Sequence, residues 1–287
     1  MSLPLFKPPP MRPTAGPQRR QFLAWLAGAG AGAVAPAWAA AADEAGPVIA
    51  AASDLKFALD DIAAQFTAQT GHRLRISYGS SGNFFRQIVQ GAPFELFLSA
   101  DEDFVHQLHG QGLTEDSGAL YGVGRLVLFA ARGSPLRVDA GLLDLRAALA
   151  DGRLRKFAIA NPEHAPYGRA AMQVLERAGL WQAMQPRLVL GENVSQAAQF
   201  AVSGSAQGGI FALSLALSPV LQQAGSRVLL PEQMHSPLRQ RMVLTRRAGL
   251  VAHQFYRFVQ RDEARAALQR FGFSLPGTPQ GQRLGGG

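Results

Sequence analysis

The residues of this sequence best placed to do chemistry are hydroxyls at two short turns. Ser53-Asp54 follows the apolar run Val48 to Ala52, and Ser80-Ser81-Gly82 follows the run Leu74 to Tyr78. Each turn stands between a strand-like run and a segment of helical period. There a hydroxyl donor lies beside the free N–H groups and positive dipole end of a helix, which suits an anion. Gly82 would let the backbone approach a ligand closely. For either turn alone a capping Ser or Asp is the simpler reading; two such turns on adjacent units of one sheet weaken it. Later turns repeat the arrangement. In Asn161 to Gly168, Tyr167 and Gly168 open a helix, and Gly191-Glu192-Asn193-Val194 precedes another. A tyrosine hydroxyl and helix-start amides facing the serine turns would complete a cage of donors only, the complement of an anion that carries no proton.

Asp54 fits this cage poorly, because a carboxylate beside a dianion is repulsive. It is read as a helix-capping residue pointing away, with only its amide near the ligand. Pointing inward, it would favour a protonated oxyanion. His164 lies in the second-lobe turn and is read as a loop hydrogen bonder. His106 and His109, beside Asp101, Glu102 and Asp103, could share a metal; a solvated polar face accounts for them better. Gly79-Ser80-Ser81-Gly82-Asn83 departs from the G-x-S-x-G nucleophile elbow at its last position. A serine hydrolase with Ser80 or Ser81 as nucleophile and His164 as base stays open as the alternative of a different class. No P-loop, dinucleotide fingerprint or HExxH occurs.

The elements that must position these turns follow from hydrophobic period. Strand, turn and helix recur three times between Val48 and Gln111, which predicts a doubly wound α/β lobe. The apolar run Gly124 to Ala130 reads as a strand crossing to a second lobe, and Arg239 to Arg246 as a second crossing strand that returns. A single last helix is expected from Val251 to Phe271. The resulting division is 43–126 for the first part of lobe 1, 127–236 for lobe 2 and 237–275 for the returning part of lobe 1. A hinge lies between the lobes, and a disordered tail over 276–287 is rich in Gly, Pro and Gln.

Residues 1–42 read as an export signal. Arg19-Arg20 leads into an apolar stretch from Phe22 that ends at Ala37-Trp38-Ala39, and a paired arginine before Phe-Leu resembles the twin-arginine type. The net charge is +8, and removal of Lys7, Arg12, Arg19 and Arg20 with no acidic residue leaves 8 − 4 = +4. The 287 residues include no cysteine, which excludes disulfides, thiolate metal sites and a cysteine nucleophile. Basic and aromatic residues do not interleave as nucleic-acid binding requires, so no nucleic-acid partner is expected.

In order and spacing, these segments resemble the periplasmic molybdate-binding proteins of ABC importers over about Val48 to Phe273. The carriers are Ala50-Ala51-Ala52-Ser53, Tyr78-Gly79-Ser80-Ser81-Gly82, and Gly91-Ala92-Pro93 through Leu96-Phe97-Leu98-Ser99-Ala100-Asp101. Ala160-Asn161-Pro162, Ala165-Pro166-Tyr167-Gly168, Gly191-Glu192-Asn193-Val194 and Arg270-Phe271-Gly272-Phe273 continue the match. The resemblance implies a two-lobed periplasmic binding protein fold of type II, each lobe a doubly wound mixed sheet flanked by helices, with two crossing strands as hinge. It implies a monomer without catalysis or cofactor, whose ligand is molybdate or tungstate and whose partner is an importer permease. Ligand-binding positions implied by the match are Ser53, Ser81, Tyr167 and Val194, with Asp54, Ser80 and Gly82 adjoining them. A further tyrosine of some members falls at Ala212, and Tyr167 takes its place. Sulfate or phosphate on the same scaffold is the alternative ligand.

Overall fold

The computed structural model describes residues 46–275, and among them ten strands form two five-stranded mixed sheets flanked by helices. The expected export signal and C-terminal tail lie outside the described residues.

In the first sheet β1 (Val48–Ala52) is the central parallel strand, and its almost wholly buried VIAAA run is what a strand covered on both faces requires. It leads through a short 3-10 turn, Ser53–Leu55, into α1 (Lys56–Thr70), which buries Leu59, Ile62 and Phe66. The next units are β2 (Arg75–Gly79) with α2 (Ser81–Val89) and β3 (Leu96–Ser99) with α3 (Glu102–Gly110). Both strands pair in parallel with β1. After β4 (Ala119–Gly124) the chain leaves this sheet.

The second sheet holds β5 (Leu126–Ala131), β6 (Phe157–Ala160), β7 (Leu188–Gly191), β8 (Gly208–Ala212) and β9 (Gly225–Leu229). Around them lie α4 (Leu143–Ala150), α5 (Pro166–Arg177), α6 (Trp181–Met184), α7 (Val194–Val202), α8 (Leu213–Ala216) and α9 (Pro219–Ala224). The chain then returns as β10 (Leu238–Leu244), followed by α10 (Leu250–Val259) and α11 (Asp262–Arg270). The strand orders are β2-β1-β3-β10-β4 and β7-β6-β8-β5-β9, the same topology twice. In each sheet three parallel strands end at the same edge, the place where open α/β sheets bind ligands.

Three expectations need correction. The run from Gly124 to Ala130 is not one crossing strand. It divides at Arg125, so that β4 pairs with β10 in one sheet and β5 with β8 and β9 in the other. The return crossing is not the strand after Arg239, since β10 lies wholly within the first sheet; the chain crosses between Leu229 and Leu238. Arg125 Nη1 meets Glu232 Oε1 at 2.6 Å, tying the two crossings together. The last helix is two helices, because Arg261 is extended (φ −72°, ψ 158°) and Asp262 and Glu263 start α11 with charges that suit a helix N-terminus.

The core of the first lobe has an aromatic knot at its back. Phe66 of α1 meets Phe255 and Phe258 of α10 edge-on, with ring centroids 5.1 and 5.4 Å apart. Because Phe66 is fully buried, Phe66→Ala is expected to cost about 3–5 kcal/mol through lost transfer energy and a cavity. Urea unfolding would read this as a lower midpoint at unchanged slope.

Candidate binding site

The parallel strands of both sheets point their C-terminal ends at one small pocket. It is lined by Ala52, Ser53 and Asp54 after β1, Gly79, Ser80 and Ser81 after β2, and Ala100 after β3. Ala165, Pro166 and Tyr167 at the start of α5 and Val194 at the start of α7 close it from the other lobe. Ser53, Asp54, Ser80, Ser81, Tyr167 and Val194 therefore meet, all of them buried. No Lys or Arg lines the pocket. The groups that can meet an anion there are helix starts and hydroxyls.

Two hydroxyls are poised as donors. Ser81 Oγ accepts the Ala100 amide at 2.9 Å, and Ser53 Oγ accepts the Ser195 amide at 3.2 Å from the opposite lobe. Since each hydroxyl has one proton besides its acceptor sites, both protons remain for a third partner. Ser80 is differently occupied. Its Oγ caps α2 by accepting the Asn83 amide at 3.4 Å, and it lies 2.9 Å from His164 Nδ1 across the cleft. Glu192 Oε1 is 3.6 Å from the other nitrogen of that ring.

Asp54 caps no helix; neither the 3-10 turn nor α1 has a side-chain cap. The expectation that it points away is overturned by its tertiary partners. Asp54 Oδ2 accepts the Tyr167 hydroxyl at 2.9 Å and the Gln240 Nε2 amide at 2.6 Å. Gln240 Nε2 also donates to the Tyr167 oxygen at 3.1 Å, and Tyr121 donates to Gln240 Oε1 at 2.8 Å. The proton of Tyr167 is thus directed at Asp54. Asp54 Oδ1 is buried and has no hydrogen-bond partner. Ala212, the position where a further tyrosine was expected by resemblance, is buried at the end of β8 and does not line the pocket. Gln240, Tyr121 and Ser195 were missed in the sequence. Gln240 gave a signal, since it shares the inward face of β10 with Leu238 and Met242.

Burial pushes the Asp54 carboxyl up from 3.8 to about 6, against the bonds from Gln240 and Tyr167. The nearby amides of Asp54 and Leu55 lower it less, and neither meets Oδ1 in hydrogen-bond geometry. The folded protein therefore holds this proton more tightly than the unfolded chain. That contribution is complete below pH 3.8 and is lost as pH rises through about 6. The loss is on the order of 3 kcal/mol. Between those limits the urea midpoint of the wild type is expected to fall relative to that of Asp54→Asn. Parallel profiles for the two proteins would contradict this.

The lobes touch at several points around the pocket. The Gly82 amide donates to the His164 carbonyl at 3.0 Å, the Ser195 hydroxyl to the Ser53 carbonyl at 2.8 Å, and the Ser214 hydroxyl to the Asp54 carbonyl at 2.8 Å. Arg169 pairs with Asp101 across the rim. Elsewhere, His106 faces Glu102 at 3.8 Å and His109 faces Thr114 at 3.3 Å. Among the described residues no cluster of three or more metal-ligating side chains forms, and no helix is long and apolar enough to cross a membrane.

The sequence profile of the bacterial extracellular solute-binding proteins matches residues 47–274. The chain belongs to that family. This solute-binding protein is 36% identical over 233 residues to the molybdate-binding protein ModA of Rhodobacter capsulatus, covering 80% of this chain and 88% of that one. With ModA of Escherichia coli K12 it shares 29% identity over 262 residues, 89% of this chain and 99% of the other. Among solved structures, the periplasmic molybdate-binding protein of Azotobacter vinelandii superposes with a TM-score of 0.73 at 34% identity, over 80% of this chain and 99% of that one.

Proposed function

We propose that this solute-binding protein captures molybdate between its lobes in the periplasm and delivers it to the membrane permease of an ABC importer. The observation that carries the reading is the pair of buried serine hydroxyls, Ser53 and Ser81, whose acceptor sides are occupied by backbone amides and whose protons are free. Together with the starts of α2, α5 and α7 they form a site that donates hydrogen bonds and contributes no basic side chain. A desolvated tetrahedral dianion, every oxygen of which accepts, matches it. Similarity to molybdate-binding proteins on both counts, sequence and structure, supports the choice among oxyanions. Tungstate has nearly the same size and charge and is bound by the same donors. The protein acts as a monomer, is exported by the twin-arginine route and binds no nucleic acid.

No bond is made or broken in this reading, although one contact favours the hydrolase alternative: Ser80 lies within hydrogen-bond distance of His164. The same hydroxyl is a helix cap and is almost fully buried where the lobes meet, which suits a latch better than a nucleophile. Calorimetric titration with molybdate, tungstate, sulfate and phosphate tests the proposal. Tight one-to-one binding of the first two with sulfate rejected is expected. An absence of binding with all four, or ester turnover abolished by His164→Ala, would overturn it.

A further inference from the structure

The Asp54 carboxylate is the one charged side chain lining the pocket. One of its oxygens is fully engaged, and the other is buried without a partner. A buried polar atom left unpaired is costly and calls for a reason. Ionised, Oδ1 could only accept, and it would repel a dianion held by Ser53 and Ser81. Protonated, the same oxygen becomes a donor that an oxyanion can accept. We propose that Asp54 shares a proton with the bound oxyanion, so that this protein takes up one proton from solvent for each fully ionised oxyanion it binds. The proposal rests on the oxyanion reading and adds the protonation state in which the site works.

The surroundings of Asp54 leave it as the group that changes charge. Facing it are Tyr167 on α5, Tyr121 on β4 and Gln240 on β10, with Ser214 of α8 and Ser195 of α7 bonded to its own turn. The titratable members of this set are the two phenols. Burial and the nearby Asp54 charge hold both well above their ordinary value, so they stay neutral. His164 stands on the other wall, bonded to Ser80 and facing Glu192. It is the other ionisable side chain in contact with the site, and the His164→Gln variant separates it from Asp54.

Closure supplies the coupling. Tyr167 and Val194 come from the lobe opposite Asp54, so bringing them over the pocket removes water from the carboxylate and favours its neutral form. Binding and closure therefore draw a proton in, and a rise in pH weakens the complex.

The test is calorimetric titration of molybdate into the wild type, Asp54→Asn and His164→Gln from about pH 6 to about pH 8, in buffers of different ionisation enthalpy. For the wild type, uptake of about one proton per molybdate and a Kd that rises about tenfold per pH unit are expected. Asp54→Asn is expected to show no uptake and a flat profile, and to bind at least about tenfold more tightly than the wild type at the alkaline end. Tight wild-type binding without proton uptake would overturn the proposal while leaving the oxyanion reading intact. A slope that survives in Asp54→Asn and vanishes in His164→Gln would also overturn it. Should Asp54→Asn fail to fold, the wild type and His164→Gln decide together: no uptake in the wild type, or uptake lost in His164→Gln, overturns the proposal, and uptake kept in both supports it. Molybdate bound by none of the three proteins at any pH would sink the oxyanion reading itself, and the proposal with it.

Discussion

Gly82→Ala is expected to weaken molybdate binding by about a hundredfold or more while leaving the first lobe folded. A methyl group at this position would lie 2.5 Å from the His164 carbonyl oxygen and 3.1 Å from its Cα, both backbone atoms of the opposite lobe. Neither can rotate aside, so the lobes must separate. The Gly82 N–H bond to that carbonyl, 3.0 Å long, would be lost with the contact. Within its own lobe the substitution is benign. Gly82 is the second residue of α2 with ordinary helical geometry, and alanine favours a helix by about 1 kcal/mol over glycine. What disappears is the cover that Tyr167 and Val194 put over the pocket, together with the α5 and α7 helix starts. Small-angle scattering should show a wild type that compacts when molybdate is added and a variant that does not. Unaltered affinity in the variant would mean that the ligand is held by one lobe alone.

The second large effect separates two adjacent serines. Ser81→Ala removes a proton free for the ligand and also leaves the Ala100 amide, now bonded to Ser81 Oγ at 2.9 Å, unpaired in a buried site. The combined loss is about 2–4 kcal/mol, or roughly thirtyfold to a thousandfold in Kd. Ser80→Ala removes a hydroxyl already shared between the Asn83 amide and the His164 ring. Its expected effect is below about tenfold, through loss of a cap and an inter-lobe contact. Calorimetry on the two variants side by side gives the ranking. The reverse order would transfer the donor role to Ser80 and revive the hydrolase alternative.

What was legible in the sequence is what local pattern controls. The serine turns, Tyr167 and Val194 could be placed because each follows an apolar strand run and opens a helical period, and the fold then needs only parallel pairing to bring them together. Asp54 could not be oriented in this way. Its partners Tyr167 and Gln240 lie 113 and 186 residues further along the chain, so a capping role, which local grammar favours, gives way to tertiary hydrogen bonds. The division at Arg125 escaped notice because buried residues flank it on both sides and the two strands differ in their pairing partners. β9 is a half-exposed edge strand paired with β5 alone, without the buried run that marks the central strands. The break before α11 did leave a local sign in Asp262-Glu263, and the continuous apolar period across it concealed that sign.

One tetrahedral oxyanion is expected between the serine turns and the starts of α5 and α7. Crystals grown with molybdate and measured at the molybdenum absorption edge test it directly. A single strong anomalous peak is expected in the cleft, with oxygens within about 3 Å of Ser53 Oγ and Ser81 Oγ, and Tyr167 and Val194 covering it from the other lobe. A peak outside the cleft, or none in crystals soaked to saturation, would contradict it.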